Sequence, residues 1–211
     1  MSPLEASPLP SRGGSVAGIR PEHRNLVSGR VHLSQYDPKW PYLFRRESDR
    51  VHAALGDRVL LFEHVGSTAV PGLAAKPCVD LLLVVADSAD EPAYLPDLEA
   101  AGYSLVIREP HWYEHRVLKG RDVNLNLHVF TEGCVEIERM RAFRDRLIAD
   151  ADARARYEAH KRELAERRWD RIQDYAEAKS EVIEEILART GAPGPDADHG
   201  GGGEHAEPVE P

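Results

Sequence analysis

Sulfur, aromatic residues and long apolar runs are all scarce in this chain of 211 residues, which holds two cysteines, two methionines and 7% aromatic residues. Cys78 and Cys134 are far apart and follow no metal-ligand spacing, so they are predicted to be two small thiols in a reducing compartment. No run of about 18 apolar residues is present, which excludes a transmembrane helix. The N-terminus contains no apolar segment of the length that a secretory signal needs. We therefore expect a cytoplasmic protein that is not inserted in a membrane.

Positive charge is scarce as well, because 27 Lys and Arg residues face 36 Asp and Glu residues and leave a net charge of −9. That balance argues against a protein that coats nucleic acid non-specifically, since such proteins present an excess of basic side chains. The overall charge balance does not exclude a local basic site. The acidity is concentrated in residues 191–211, which contain five acidic residues and no Lys or Arg.

The length and the distribution of Pro, Ser and Gly predict one domain between two tails. Residues 1–28 are rich in these three residue types and have little to bury, so we expect a disordered N-terminal tail. Residues 191–211 are acidic and Gly-rich and are expected to form a disordered C-terminal tail. The domain is predicted to span residues 29–190. No feature of the pattern indicates an oligomeric state.

Apolar periodicity predicts a domain in which most strands precede a helical C-terminal part. Residues 31–36 alternate in polarity and are predicted to form a half-buried edge strand. Helices are predicted over 41–55 and 91–101, and helical periodicity then continues from 136 to about 189 in three segments. The other predicted strands are 59–65, 79–85, 103–108, 114–119 and 123–130.

The stretch VLLFEHVGSTAVPGLAAKPCVDLLLVV at 59–85 carries the strongest chemical signal. Its second apolar run contains one acid, Asp80, and a carboxylate in a buried strand is costly unless a metal, a cation or hydrogen bonds stabilise it. Gly66, Ser67 and Thr68 directly follow the first run. A glycine there lets a ligand approach the backbone, and a serine caps the next turn while N–H groups face an anion. Alone, the Gly-Ser pair is typical of a plain turn; followed by Asp80, it indicates a phosphate site.

A row of polar side chains is predicted on the last strand, where alternation places Asn124, Asn126 and His128 on one face. Such a row forms either a solvated sheet edge or the wall of a polar cleft. A single histidine is more often structural. In a chain that also offers Asp80, His128 would complete a metal site, because imidazole and carboxylate suit Mg, Mn or Zn to differing degrees.

Four further residues are candidates for the same cleft. Glu63 and His64 precede the glycine on opposite faces of their strand, so at most one of them points into the cleft. Lys76 would neutralise phosphate, although an ordinary surface lysine is the simpler interpretation. Arg116 is the arginine best placed for contact with an anion.

The residues resemble the GrpB family in four segments: YDPKWPYLF at 36–44, EHVGSTAVPGLAAKP and VD within 63–80, LHVF at 127–130, and MRAFRDRLIAD with YEAHKRELAER within 140–167. The resemblance covers residues 31–189. It implies an α+β fold similar to the DNA polymerase β-type nucleotidyltransferases, with a mixed sheet, packed helices and a C-terminal helical segment. A related domain is fused to some dephospho-coenzyme A kinases, where a folding-accessory role has been suggested.

The resemblance also implies a ligand, namely a nucleotide or another phosphorylated small molecule. It implies a metal position at Asp80, with His128 as a second ligand and Mg or Mn as the metal. The residues expected to contact the nucleotide are Gly66, Ser67, Thr68, Lys76 and Arg116.

One departure from the nucleotidyltransferase pattern concerns its acids, because that pattern has a second carboxylate two residues after the first and a third on a later strand. This chain has Leu82 at the second position, and the third falls near Asn126 or His128. A working enzyme would therefore need another acid, for which Glu63 and Glu47 are the candidates.

Two functional hypotheses follow. The first is metal-dependent nucleotidyl transfer to an acceptor, with Asp80 and His128 as catalytic residues. The second is a nucleotide- or anion-binding module with a sensor or folding-accessory role and no transfer chemistry. A metal-dependent hydrolase that uses the same Asp-His pair is a third alternative.

Overall fold

The computed structural model describes residues 26–27 and 29–194, which form a mixed sheet with helices on both faces. Its strands are β1 (Leu26–Val27), β2 (Arg30–Val31), β3 (Leu61–Val65), β4 (Val79–Val85), β5 (Tyr103–Glu109), β6 (His115–Gly120) and β7 (Leu125–Thr131). Its α-helices are α1 (Trp40–Leu55), α2 (Leu95–Ala100), α3 (Val135–Ala149), α4 (Ala151–Glu166), α5 (Ile172–Glu177) and α6 (Ser180–Leu187). The predicted α+β class, with its C-terminal helical segment, is confirmed.

The main sheet has the strand order β3-β4-β7-β6-β5, in which β4 and β7 are parallel and the other neighbours are antiparallel. Helices cover both faces of β4, which explains its almost continuous apolar sequence. The prediction for 79–85 agrees with β4 residue for residue. The other four predicted strands of this sheet differ from the observed bounds by no more than two residues.

The predicted edge strand at 31–36 is wrong. Val31 belongs to β2, which pairs with β1 in a separate two-stranded sheet, and Ser34 makes an isolated bridge to Ala75. The reason lies in packing, because Val31 is buried against Leu164 and Tyr175 of the helical layer.

Alternation divides the side chains of the central strands between two cores. Leu81 faces α1 and α2 in the larger core. Leu82 and Phe130 lie on the opposite face of the sheet and pack against α3. Helices α4 and α6 in turn pack against α3 in a further core that includes Leu147 and Ile186. The polar residues that share the orientation of Leu82 therefore face the C-terminal helices.

Two predicted helices are divided in the structure. The segment 91–101 begins as a 3-10 turn at 91–93, and α2 starts only at Leu95. Pro96 explains the break, because proline fits the first turn of a helix and not its interior. The last predicted helix splits into α5 and α6, because Tyr175 packs beside Val31 whereas Ile186 packs on α3 and α4.

Most of the two expected tails lies outside the described residues. Leu26 and Val27, which the prediction assigned to the N-terminal tail, form β1. Of the expected C-terminal tail, residues 191–194 are described. Cys78 and Cys134 are buried thiols, as expected. In the described part of the chain, no helix is long and apolar enough to cross a bilayer.

Candidate functional site

A glycine turn brings the end of β3 against the start of β4. Gly66 has φ 68°, a left-handed conformation that favours glycine. A Cβ at this position would lie 2.6 Å from Asp80 Oδ2, so any side chain would clash with the carboxylate. Ser67 to Ala69 then form a 3-10 turn. The Gly66-Ser67 turn and Asp80 therefore lie in direct contact, as their sequence pattern indicated.

Asp80 is the second residue of β4 and lies level with Val65 on one side and Asn126 on the other. Its Oδ1 accepts a hydrogen bond from Asn126 Nδ2 at 2.7 Å and lies 3.7 Å from His128 Nε2. Burial alone would raise the pKa of Asp80, but the interactions with His128, Lys76 and Asn126 lower it to about 2. Asp80 is therefore an anion at neutral pH, and its side chain is 28% exposed.

A chain of hydrogen-bonded side chains continues from His128 across the sheet. His128 Nδ1 lies 3.0 Å from His115 Nε2, and the two rings stack with centroids 5.2 Å apart. His115 Nδ1 lies 2.7 Å from Glu109 Oε2 near the surface. Burial and the neighbouring His128 lower the pKa of His115 to about 4, against the opposite effect of Glu109. His128 is thus held in orientation by a second histidine.

Lys161 enters the site from α4. It is 2% exposed, and its Nζ donates hydrogen bonds to Ala74 O at 2.5 Å and to Ser67 Oγ at 3.2 Å. The Nζ also lies 4.7 Å from the centre of the Tyr157 ring. Burial, reinforced by the charges of nearby lysines, lowers the pKa of Lys161 to about 7. The Ser67 side chain is therefore in contact with a buried amine.

Two more lysines lie near the same end of β4. The Nζ atoms of Lys76 and Lys179 lie 6.0 and 4.9 Å from the centre of the Tyr175 ring. Neither forms an ion pair with a carboxylate in the described part of the chain. Burial lowers the pKa of both, and the charge of Asp80 acts in the opposite direction. The site thus contains two lysines whose charged forms Asp80 favours without forming an ion pair with either.

A cavity of about 310 Å³ opens between the Gly66-Ser67 turn and the helical layer. Asp80 and Lys179 line one part of it, and apolar side chains line another. The apolar lining residues are Met140, Phe143, Ile183 and Leu187. Glu136, Arg139 and Glu184 contribute a third, charged part. The cavity therefore combines an apolar wall with acidic and basic side chains.

Of the predicted site residues, the cavity is lined by Gly66, Ser67 and Asp80, and three of the others have partners away from it. Arg116 lies on the opposite face of the sheet. Its Nε is 2.7 Å from Glu91 Oε1 and its Nη2 is 3.1 Å from Glu114 Oε2, so these two acids neutralise its charge. His64 is 2.9 Å from Thr68 Oγ1, and its ring stacks on Phe44 on the α1 side of the sheet. Thr68 is 1% exposed, so its hydroxyl serves that internal contact.

The candidates for an additional acid are engaged elsewhere. Glu63 shares the face of Asp80 but forms ion pairs with Arg141 and Arg144 of α3. Glu47 is buried on the other side of the sheet, where it accepts a hydrogen bond from the Tyr103 hydroxyl at 2.7 Å. Neither lines the cavity.

Asn124 and Lys76 both lie close to the start of β4. Asn124 Nδ2 donates to Pro77 O at 2.8 Å, on the loop that leads into this strand. Lys76 lies on that loop, close enough for its charge to lower the pKa of Asp80. Of the expected polar row of Asn124, Asn126 and His128, the last two lie beside Asp80, and none of the three lines the cavity.

Sequence reasoning missed the residues that the helices contribute, above all Lys161, Lys179 and Tyr157. One signal was available for Lys161, which lies four residues after Tyr157 and three before Leu164, on the buried face of α4. A lysine at an inward position of an amphipathic helix needs a partner inside the protein. Lys179 has no such pattern, because it lies in the junction before α6.

The residues at Asp80 do not fit a two-metal centre. Within the described ranges, no group of three His, Cys, Asp or Glu side chains is arranged to hold a metal ion. Leu82, at the position of the second acid in the nucleotidyltransferase pattern, is fully buried in the core beneath α3. Asp80 and His128 together offer one carboxylate and one imidazole, fewer ligands than a structural or catalytic metal site in a protein usually has.

Comparisons with known proteins agree with the fold. The family model described as GrpB protein matches residues 30–189. The UPF0157 protein BH1888 of Halalkalibacterium halodurans is 51% identical over 178 residues, which cover 84% of this chain and 89% of that protein. The crystal structure of conserved protein GrpB from Enterococcus faecalis aligns with a TM-score of 0.64 and 30% identity, and covers 75% of this chain and 98% of that chain.

More distant similarities extend to larger proteins. The dephospho-CoA kinase of Mycolicibacterium paratuberculosis is 32% identical over 193 residues, which cover 79% of this chain and 47% of that protein. The structure of Cid1 in complex with the UTP analog UMPNPP aligns with a TM-score of 0.38 and 10% identity, and covers 62% of this chain and 42% of that chain. A similarity of that size says nothing about ligand or chemistry.

Proposed function

The chain belongs to the GrpB family, and from that premise we propose that it binds the phosphate groups of a nucleotide or another phosphorylated small molecule and catalyses no nucleotidyl transfer. The observation that supports this most is a pair of lysines, Lys179 at the cavity wall and Lys76 near it, which form no ion pair with a carboxylate in the described part of the chain. Asp80 is the acid whose charge acts on both lysines, and it forms no ion pair with either.

The energetics of the two lysines favour an anionic ligand. Burial disfavours the charged forms of Lys76 and Lys179. The charge of Lys179 further disfavours a charged Lys76, and the charges of both disfavour a charged Lys161. A phosphate group between them would compensate both penalties at once.

Transfer chemistry is the part of the nucleotidyltransferase hypothesis that the site supports least. Nucleotidyl transfer depends on metal ions that bridge the phosphates and neutralise the developing charge. The position of the second acid is the buried Leu82, and Glu63 is held by two arginines. Asp80 is the carboxylate beside His128, and the other two carboxylates that line the cavity, those of Glu136 and Glu184, pair with Arg139. The site is therefore better suited to binding than to this reaction.

The proposal is tested by thermal unfolding in EDTA with ATP, the other nucleoside triphosphates and inorganic tripolyphosphate. A ligand at 100 times its Kd adds about 2.7 kcal/mol, which raises Tm by roughly 5 to 10 °C in a domain of this size. We expect such a rise for the native protein and its loss in Lys179→Met. Lys39→Met removes the same charge from an exposed position and should keep the rise. Equal rises in both variants, or none with any phosphate compound, would contradict the proposal.

A second candidate, metal-dependent nucleotidyl transfer, is favoured by one observation: Asp80 is ionised and lies 3.7 Å from His128. It predicts that stabilisation by a triphosphate requires Mg or Mn and that pyrophosphate is released. Asp80→Asn, which keeps the size of the side chain, should then abolish release without loss of stability. Stabilisation in EDTA with no pyrophosphate would instead support the binding function.

A further inference from the structure

The contact between Ser67 and Lys161 has the features of a site in its own right. Lys161 is 2% exposed, and its Nζ contacts a carbonyl oxygen, the Ser67 hydroxyl and an aromatic ring. None of these is a carboxylate, and the amine makes no ion pair in the described part of the chain. A buried lysine that serves stability alone is normally paired with an acid, because an unpaired buried charge is costly.

The surroundings of Lys161 favour the neutral amine. Three positive charges disfavour a charged Lys161: that of Lys179 in the junction before α6, that of Arg162 on α4 itself and that of Lys76 in the loop before β4. One carboxylate opposes these cations, that of Glu158, which is also engaged by Arg162 at 2.6 Å and by the Ala74 N–H at 3.2 Å. Burial and the surrounding cations lower the pKa of Lys161 to about 7. A large fraction of the lysine therefore carries a free lone pair near pH 7.

Lys161 Nζ donates to Ser67 Oγ over 3.2 Å, and once the amine is neutral the same contact can reverse, so that the amine accepts the serine proton. Ser67 is half-buried and lines the cavity, so its oxygen is accessible to a bound molecule. Burial raises the pKa of Tyr157 to about 12, and its hydrogen bond with Ser67 acts against that rise. The serine oxygen thus contacts a proton acceptor and a neutral hydroxyl at the same time.

From this geometry we propose that Ser67 is a nucleophile and Lys161 its general base, and that the pair accepts the acyl group of a carboxylic ester bound in the cavity. The Ser67 oxygen forms a bond to the ester carbonyl carbon, and its proton passes to Lys161 Nζ. The bond from that carbon to the leaving alcohol oxygen then breaks, and the proton passes from Lys161 to the departing alcohol. Water then attacks the same carbon and gives a proton to Lys161 Nζ. The bond from that carbon to the Ser67 oxygen breaks, the proton returns to Ser67, and the carboxylic acid is released.

The shape of the cavity indicates the kind of acyl group. An apolar wall lines the cavity beside Ser67 and consists of Met140, Phe143, Ile183 and Leu187. A volume of about 310 Å³ accommodates a short aliphatic acyl chain. The inference concerns the serine and its base, so it does not rest on the binding of phosphate by the other two lysines.

The experiment uses the full chain and p-nitrophenyl acetate as the probe. We expect a burst of p-nitrophenol and a mass increase of about 42 Da per chain, located at Ser67 by peptide mapping, as for an acyl-enzyme. Ser67→Ala should lose both. Lys161→Arg keeps a positive charge but supplies no base at the assay pH, and should slow acylation by about 100-fold or more. Lys39→Arg makes the same exchange at an exposed position and should behave like the native protein.

The pH dependence separates a base from a structural lysine. Acylation of the native protein should rise between pH 6 and 8 and then level off, whereas any residual reaction of Lys161→Arg should lack that step. Acetyl groups found on lysines alone, no acylation, or an unchanged rate in Ser67→Ala would each overturn the proposal. Ser67 is in a half-exposed turn, so Ser67→Ala decides the question even if the Lys161 variant fails to fold.

Discussion

At the scale of single residues, the site depends on Gly66 more than on any polar group. The positive φ of Gly66 turns the chain sharply at the end of β3, and the missing Cβ leaves room for the Asp80 carboxylate. Both requirements act at one position, and they explain why a glycine directly precedes Ser67. A substitution there would displace the carboxylate and the serine together.

Gly66→Ala is therefore expected to destabilise the protein by about 3 kcal/mol, the sum of a strained backbone and a clash. Gly72→Ala is the matched control, because Gly72 also has a positive φ, of 79°, but no atom lies within 4 Å of the position that an added methyl group would take. It should cost only about 1 kcal/mol. Urea unfolding of the two variants gives the comparison, and equal losses would show that the contact with Asp80 is unimportant.

At the scale of elements, alternation along the strands decides which residues share the cavity. Asp80, Asn126 and His128 fall on the face of the sheet that α3 covers, whereas Arg116 falls on the other face and is neutralised there by Glu91. The helical layer then supplies the cations. Helix α6 matters most for Lys179, because that lysine immediately precedes it and the helix packs on α3 and α4.

Ile186→Ala in α6 should lower the free energy of unfolding by about 2 to 4 kcal/mol, because Ile186 is 3% exposed in the core with α3 and α4. Ile148→Ala removes the same atoms from α3 at a position that is 45% exposed, and should cost less than about 1 kcal/mol. Chemical denaturation checks both. Similar losses would mean that α6 contributes little to stability and is a poor support for Lys179.

At the scale of the whole molecule, an acidic chain of net charge −9 contains one buried lysine, Lys161, with the half-buried Lys76 and Lys179 near it. Weak non-specific binding of polyanions stays a prediction from the net charge. Placing these amines inside the protein costs free energy. Stability should therefore depend on pH in a way that the surface groups do not produce.

The direction in which stability changes with pH follows from Lys161, whose pKa falls from 10.5 to about 7 on folding. Between these values the unfolded chain binds a proton that the folded protein does not, so stability rises with pH across this interval. The difference in unfolding free energy between the native protein and Lys161→Met should therefore change steadily from pH 7 to 10. The same difference for Lys39→Met should stay constant. A constant difference for both would show that Lys161 is charged in the folded protein.

Much of the sheet follows from local sequence, because alternation and apolar content within a few residues are enough to indicate a strand. The pattern located β4 without error, placed Asn126 and His128 on one face, and singled out Gly66, Ser67 and Asp80. These signals are short-range: each depends on neighbours within a few residues.

What surrounds that strand depends on contacts between distant parts of the chain. Ser67 and Lys161 are 94 positions apart in sequence, and no local pattern relates them. Their contact depends on how α4 and α6 dock on α3, and docking is set by the fit of distant apolar surfaces. Contacts between distant parts of the chain also give Arg116 and Glu63 ion-pair partners away from the cavity, namely Glu91 and Arg144. The sequence could indicate a Gly-Ser turn beside Asp80, but the folded chain determined that Lys161 contacts the serine and that Lys179 lines the same cavity.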